Sequence, residues 1–172
     1  ERLEFEKAAK LRDRLRSIQQ LSQTQKVYFQ NDKDQDFIGM EHSGSVACIA
    51  VLKFRNGTLH DKDDFFFYNV YDTEELLLQF LLQYYKKGTD FPKTISLGQE
   101  IPDHELYETF LSQLANRKIS INVPQKGDPR RLIDMAQNNA LEQLSLRLNK
   151  KSREIVALQE LSKLLGLSKE PM

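Results

Sequence analysis

The sequence predicts a mixed α+β fold: a leading helix, a short linker, then the order βββαβαβα ending in a long C-terminal helix. Three observations predict it. Between residues 37 and 70, stretches rich in β-branched and aromatic residues are punctuated by two tight-turn signals. After residue 72, apolar residues fall into helical spacing in three separate stretches. Two short runs, TISLG at 94–98 and ISINV at 119–123, separate those stretches and read as strands.

Taken in order, Phe5, Ala8, Leu11, Leu15, Ile18 and Leu21 recur at steps of three and four, giving an amphipathic helix over about residues 2–25. The polar run 30–35 is a linker. Strands are expected over 37–42, 46–54 and 58–70. The first corner is Ser43-Gly44 and the second Asn56-Gly57, a pair suited to a type I′ hairpin because both central residues need positive φ. Asp72, with Glu75 three positions on, opens a helix carrying Leu76, Leu77, Phe80, Leu81 and Tyr84 on its apolar face. Residues 104–116 form a helix packed through Leu106, Tyr107, Phe110, Leu111 and Leu114. Asp128-Pro129 reads as an N-cap followed by proline at the first helical position. The helix it opens buries Leu132, Ile133, Ala136, Ala140, Leu144 and Leu148, and runs to Leu165 with a kink expected near 149–151. The units are then 1–29, a helix; 30–35, a linker; 36–148, the sheet domain; and 149–172, a helix leading out of it. Three antiparallel strands followed by βα crossovers are the order of ribonuclease H-like domains.

Of 172 residues, 40% are apolar and 29% charged, which suits a folded core. The 25 basic and 25 acidic residues balance, but unevenly along the chain. Residues 60–75 sum to −5, while 1–26 sum to +3 and 117–153 to +6, a split compatible with an anionic partner on one face. Cys48 is the one cysteine, set in an apolar run, so it reads as a buried inert thiol and no disulfide framework exists. No apolar stretch approaches the roughly 18 residues of a membrane span, and no signal-peptide pattern is present. A cytoplasmic setting is expected, and the missing initiator Met suggests a piece of something longer.

A two-metal nuclease would need several convergent acids, one of them in the middle of the first strand. Glu41 is the one acid at a suitable place there; it reads either as a strand-end acid or as the remnant of a metal ligand. Asp61, Asp63 and Asp64 read as charges guarding a sheet edge, with cation binding as the alternative. His42, His60 and His104 share no ligand spacing. Lys126, Arg130 and Arg131 surround a helix start that favours anions, and Lys150 and Lys151 continue a basic surface at the other end. Phosphate contact is one reading of them; a capped helix whose arginines are solvated or paired with Asp134 is the other.

Four stretches carry a resemblance. "LEFEKAAKLRDRL" (3–15) resembles the second half of the UVR motif, a helical hairpin of bacterial excision-repair proteins. "DFIGMEHSGSVACIAVLKFRNGTLHDKDDFFF", "LLQFLLQYY" and "VPQKGDPRRLIDMAQNNA", in that order, resemble the region that follows this motif in the UvrC subunits of UvrABC excinucleases. The resemblance implies nucleotide excision repair within the SOS response to DNA damage. It implies docking on UvrB through Leu3, Phe5, Ala8, Ala9, Leu11, Arg12 and Leu15, and damaged double-stranded DNA as the substrate of the full complex, with no membrane partner. It also implies that the GIY-YIG nuclease precedes this chain and that the "FDISH" strand of the second nuclease follows it. Divalent metal is then expected only in those nuclease domains, with no cofactor here. The expected role is DNA and nuclease positioning; a metal-dependent nuclease using Glu41 and a purely structural spacer are the alternatives.

Overall fold

The structure, a computed structural model, describes residues 34–86 and 90–164. The expected helix at 1–29, with the candidate docking residues Leu3, Phe5, Ala8, Ala9, Leu11, Arg12 and Leu15, lies outside the described residues, as does most of the linker.

Strands β1 (Gln35–Ser43), β2 (Val46–Arg55) and β3 (Thr58–Tyr68) form the antiparallel meander. They are followed by helix α1 (Thr73–Tyr84), strand β4 (Thr94–Leu97), helix α2 (His104–Ala115), strand β5 (Ser120–Asn122) and helix α3 (Gly127–Leu164). The sheet order is β3-β2-β1-β4-β5, with β4 parallel to both β1 and β5. This is the mixed sheet expected of a ribonuclease H-like arrangement. Asn56 (φ 51°) and Gly57 (φ 71°) both adopt positive φ at the hairpin, as a type I′ turn requires.

Alternation along β1 divides the core between two layers. Ile38 belongs to the larger cluster, with Leu77, Phe80 and Leu81 from α1, Tyr85 just past it and Leu111 from α2. Phe37 faces the other way, onto Leu52, Phe54, Leu132, Ile133 and Ala136. Farther along, Val46, Cys48 and Ala50 meet Ala140 and Leu144. Strand β2, covered on both faces, reads as a continuous apolar run for that reason. Helix α3 thus lies along one face while α1 and α2 cover the other.

Its approach is closest at Gly39. A Cβ placed there would stand 2.3 Å from the Gln137 amide nitrogen and 2.4 Å from the Ala136 carbonyl carbon, so the helix backbone rests on the strand itself. Residues with a side chain cannot allow two backbones so near one another.

Local details differ from expectation in five places. Helix α3 begins at Gly127 (φ 78°), putting Asp128 inside the first turn instead of at the cap; glycine supplies the entry that no other residue makes cheaply. The helix then runs as one element through the expected kink near 149–151. The Asp72 carboxylate accepts from the amides of Glu74 (2.9 Å) and Glu75 (3.0 Å), but the Glu75 side chain takes Gln79 Nε2 instead of completing the box. On α2, Leu106 and Phe110 face solvent, because the buried arc follows Tyr107, Leu111 and Leu114. Tyr85, just past α1 and absent from the expected core, is fully buried.

Candidate functional site

Glu41 follows Gly39 by two residues and so points to the same, α3-facing side of the central strand, partly exposed. The other carboxylates are placed apart from it. Asp134 holds Arg130 (2.9 Å) on α3, and Glu100 is exposed beyond β4. The edge-strand acids on β3 are paired: Asp61 and Asp63 with Lys53 (3.2 and 2.7 Å), Asp64 with Lys62 (3.4 Å). His42, His60 and His104 sit on β1, β3 and α2, all exposed. Among the described residues no group of three or more His, Cys, Asp or Glu side chains converges on a common point. The Cys48 thiol is fully enclosed, and burial, followed by the neighbouring Asp64 charge, pushes it up to about 11.

The most elaborate polar cluster is one that the sequence reading missed. Asp36 is 1% exposed. Its carboxylate receives Arg55 Nη1 on one oxygen and the Tyr85 hydroxyl on the other, both at 2.7 Å. Arg55 also donates to the Asp90 carboxylate (2.7 Å), the Asp90 carbonyl (3.0 Å) and the Phe54 carbonyl (2.8 Å). Burial raises the Asp36 carboxyl above its ordinary range, opposed by Arg55 and Tyr85; burial likewise drives the Tyr85 phenol well up. Both Asp36 oxygens are taken by donors within the fold, so the geometry is that of a clamp joining the start of β1, the end of β2 and the segment before β4. The signal available in sequence was an Asp–aromatic–Arg trio far apart in the chain, which no spacing rule connects.

The candidate DNA-contacting residues all lie at or near α3, but at two separate places. Lys126, Arg130 and Arg131 are at its start. Lys150 and Lys151 stand about 20 residues on, or roughly 30 Å along the axis. At the start, Arg130 and Arg131 are each ion-paired, Arg130 to Asp134 (2.9 Å) and Arg131 to Asp128 (3.4 Å). At the far end, Lys150 is 4.0 Å from Glu154, and Lys151 is exposed. Beside them Arg147 donates to the Tyr68 hydroxyl (3.1 Å) with its guanidinium 5.4 Å from the Phe66 ring centre. Val46, Tyr68, Arg147, Leu148, Lys150, Lys151 and Glu154 line a concavity of about 400 Å³. Arg147, Tyr68 and Phe66 were not singled out in sequence, since nothing there shows that the end of β3 meets the middle of the last helix.

With this geometry in hand, the comparisons with known proteins are specific. Residues 34–147 match the family described as "UvrC Ribonuclease H-like domain", and residues 1–21 match the "UvrB/uvrC motif". UvrABC system protein C of Clostridium perfringens (strain ATCC 13124) is 37% identical over 99% of this chain and 28% of its own length. The protein of the same name from Caldanaerobacter subterraneus subsp. tengcongensis is 36% identical over 96% of this chain and 27% of its own. The chain therefore spans a little over a quarter of the curated relatives it matches. Among solved structures, ribonuclease H1 from Halobacterium salinarum NRC-1 aligns with a TM-score of 0.33 and 10% identity, over 64% of this chain and 98% of that one. No described helix is long and apolar enough to cross a membrane.

Proposed function

The chain belongs to the UvrC ribonuclease H-like domain family, and from that premise we propose that it is a non-catalytic positioning part of a UvrABC excinuclease, acting in nucleotide excision repair in the cytoplasm. In this reading residues 34–164 hold DNA and the neighbouring nuclease in place, while the segment around Leu3–Leu15, within the matched motif, docks UvrB. Incision, damaged duplex and partner belong to the whole complex.

The observation that carries the non-catalytic reading is the contact at Gly39. A phosphodiester and two metal ions need open space over the centre of β1, with carboxylates pointing into it. Here the backbone of α3 fills that space. Among the described residues Glu41 belongs to no group of three or more potential metal ligands, and Asp36 is committed to Arg55 and Tyr85. A metal-dependent nuclease centred on Glu41 is thereby disfavoured.

The test is incubation of the chain with Mn²⁺ and a nicked or damaged duplex. No incision is expected; incision that disappears in Glu41→Gln overturns the proposal. For docking, Phe5→Ala with Leu11→Ala should weaken capture by UvrB and leave the melting of the sheet domain unchanged. Equal capture by parent and variant would remove the docking role from that stretch.

A further inference from the structure

Helix α3 overshoots the sheet. Leu148 packs against the cluster of Val46, Cys48 and Ala50. Where it leaves, the start of β2 and the end of β3 form the floor of the roughly 400 Å³ concavity. Of its charged lining residues, Arg147, Lys150 and Lys151 are cationic and only Glu154 is anionic. The three cations stand at i, i+3 and i+4, sharing one helical face within a single turn. Tyr68, 48% exposed, offers an aromatic ring beside them.

We propose that this notch grips the phosphodiester backbone of a single DNA strand, with Arg147, Lys150 and Lys151 on phosphate oxygens and the Tyr68 ring against a sugar or base. The inference rests on the DNA-positioning reading and gives that role a definite address.

Three features favour the notch over the start of α3. Arg147 is pre-set: its Nε donates to the Tyr68 hydroxyl and its guanidinium carbon stands 5.4 Å from the Phe66 ring centre. Part of the rotamer entropy that binding would otherwise cost is therefore already spent, and the outer edge of a planar fork suited to phosphate remains. Among the described residues no carboxylate stands within ion-pair distance of Arg147 or Lys151, and Lys150 has only Glu154 at 4.0 Å. At the helix start both arginines already have carboxylate partners, which a phosphate would have to displace. Finally, an aromatic face next to a cationic channel is the combination that holds unpaired strands regardless of sequence. The start of α3 has the charge without the ring.

The test is fluorescence anisotropy of a short fluorescein-labelled single-stranded oligonucleotide titrated with the 172-residue chain over a range of salt. Arg147→Gln with Lys150→Gln and Lys151→Gln should weaken binding at least tenfold near 0.1 M salt and flatten the salt slope by about 2. Tyr68→Leu should cost about fivefold or more with the slope nearly kept. Arg130→Gln with Arg131→Gln should change affinity less than about twofold. Because Arg147 also touches Phe66 and Tyr68, Lys150→Glu with Lys151→Glu, at exposed positions outside the core, provides a second variant expected to lose binding at an unchanged melting temperature. If the parent binds and both notch variants bind equally well, the notch is wrong and the DNA-positioning reading stands. If the parent binds neither this strand nor a duplex, both fall together.

Discussion

Replacing Gly39 with alanine would set a methyl group 2.3 Å from a backbone nitrogen and 2.4 Å from a backbone carbon of α3. Gly39 is not among the positive-φ residues, so alanine fits its local conformation and the whole effect is steric. Neither obstacle is a side-chain tip that swings aside; both belong to a hydrogen-bonded helix. Restoring ordinary contact requires the helix to retreat by roughly 1 Å, and a gap of that size forfeits about a quarter to a half of the dispersion energy across the separated surfaces. Those surfaces include Phe37, Leu52 and Phe54 against Leu132, Ile133 and Ala136. Overpacking usually costs about 1–3 kcal/mol; with a whole interface shifted, we expect the upper end or beyond, on the order of 3 kcal/mol or more. Gly98 provides an internal comparison. A Cβ there meets the Gln137 side-chain amide at 2.9 Å, a flexible group, so Gly98→Ala should cost less than about 1 kcal/mol. Urea unfolding followed by circular dichroism measures both. A Gly39→Ala variant within about 0.5 kcal/mol of the parent would refute the close approach, and with it the argument that the space over β1 is filled.

Two further outcomes follow from the buried groups. Arg55→Met removes the cation opposing the rise of the Asp36 carboxyl, and breaking a buried pair costs about 3–5 kcal/mol. Since the folded value is already raised, the Asp36 contribution is full below about pH 4 and is lost as pH climbs through the folded value. The deficit of the variant should therefore widen from about pH 4 to pH 8 in urea titrations; a deficit independent of pH would mean that Arg55 acts only by packing and through Asp90. The Cys48 thiol, enclosed and raised to about 11, should react with an aromatic disulfide reagent at pH 8 at least roughly a hundredfold more slowly than in the urea-unfolded chain. Comparable rates would contradict its burial.

The meander was legible in sequence because its determinants are local. Asn56-Gly57 declares its turn, and the apolar continuity of 46–52 declares a strand covered on both faces. Asp72 likewise announces the start of α1. What stayed hidden depended on partners far along the chain. Asp36 sits beside a polar run and looks like the end of a linker; only Arg55, Tyr85 and Asp90 make it a buried anchor. Gly39 reads as a weak point in a strand until α3 is seen lying on it. Lys126, Arg130, Arg131, Lys150 and Lys151 were recognisable as a set, but not that Arg130 and Arg131 have carboxylate partners one turn away. Tyr68 and Arg147, separated by 79 positions, could be joined only in the folded chain.

Helix α3 has one more consequence, which concerns angle. From Leu132 to Leu148 the sheet fixes its rotation about its own axis; past that point Ile155 and Leu158 are exposed. Each residue of a helix turns the next by about 100°. One residue inserted between Leu148 and Ile155 would swing both apolar side chains by that amount relative to the sheet, whereas an exposed substitution in the same stretch would leave their direction untouched. The outer half of α3 is thus indexed like a key on a shaft: its length can vary only at the expense of its aim.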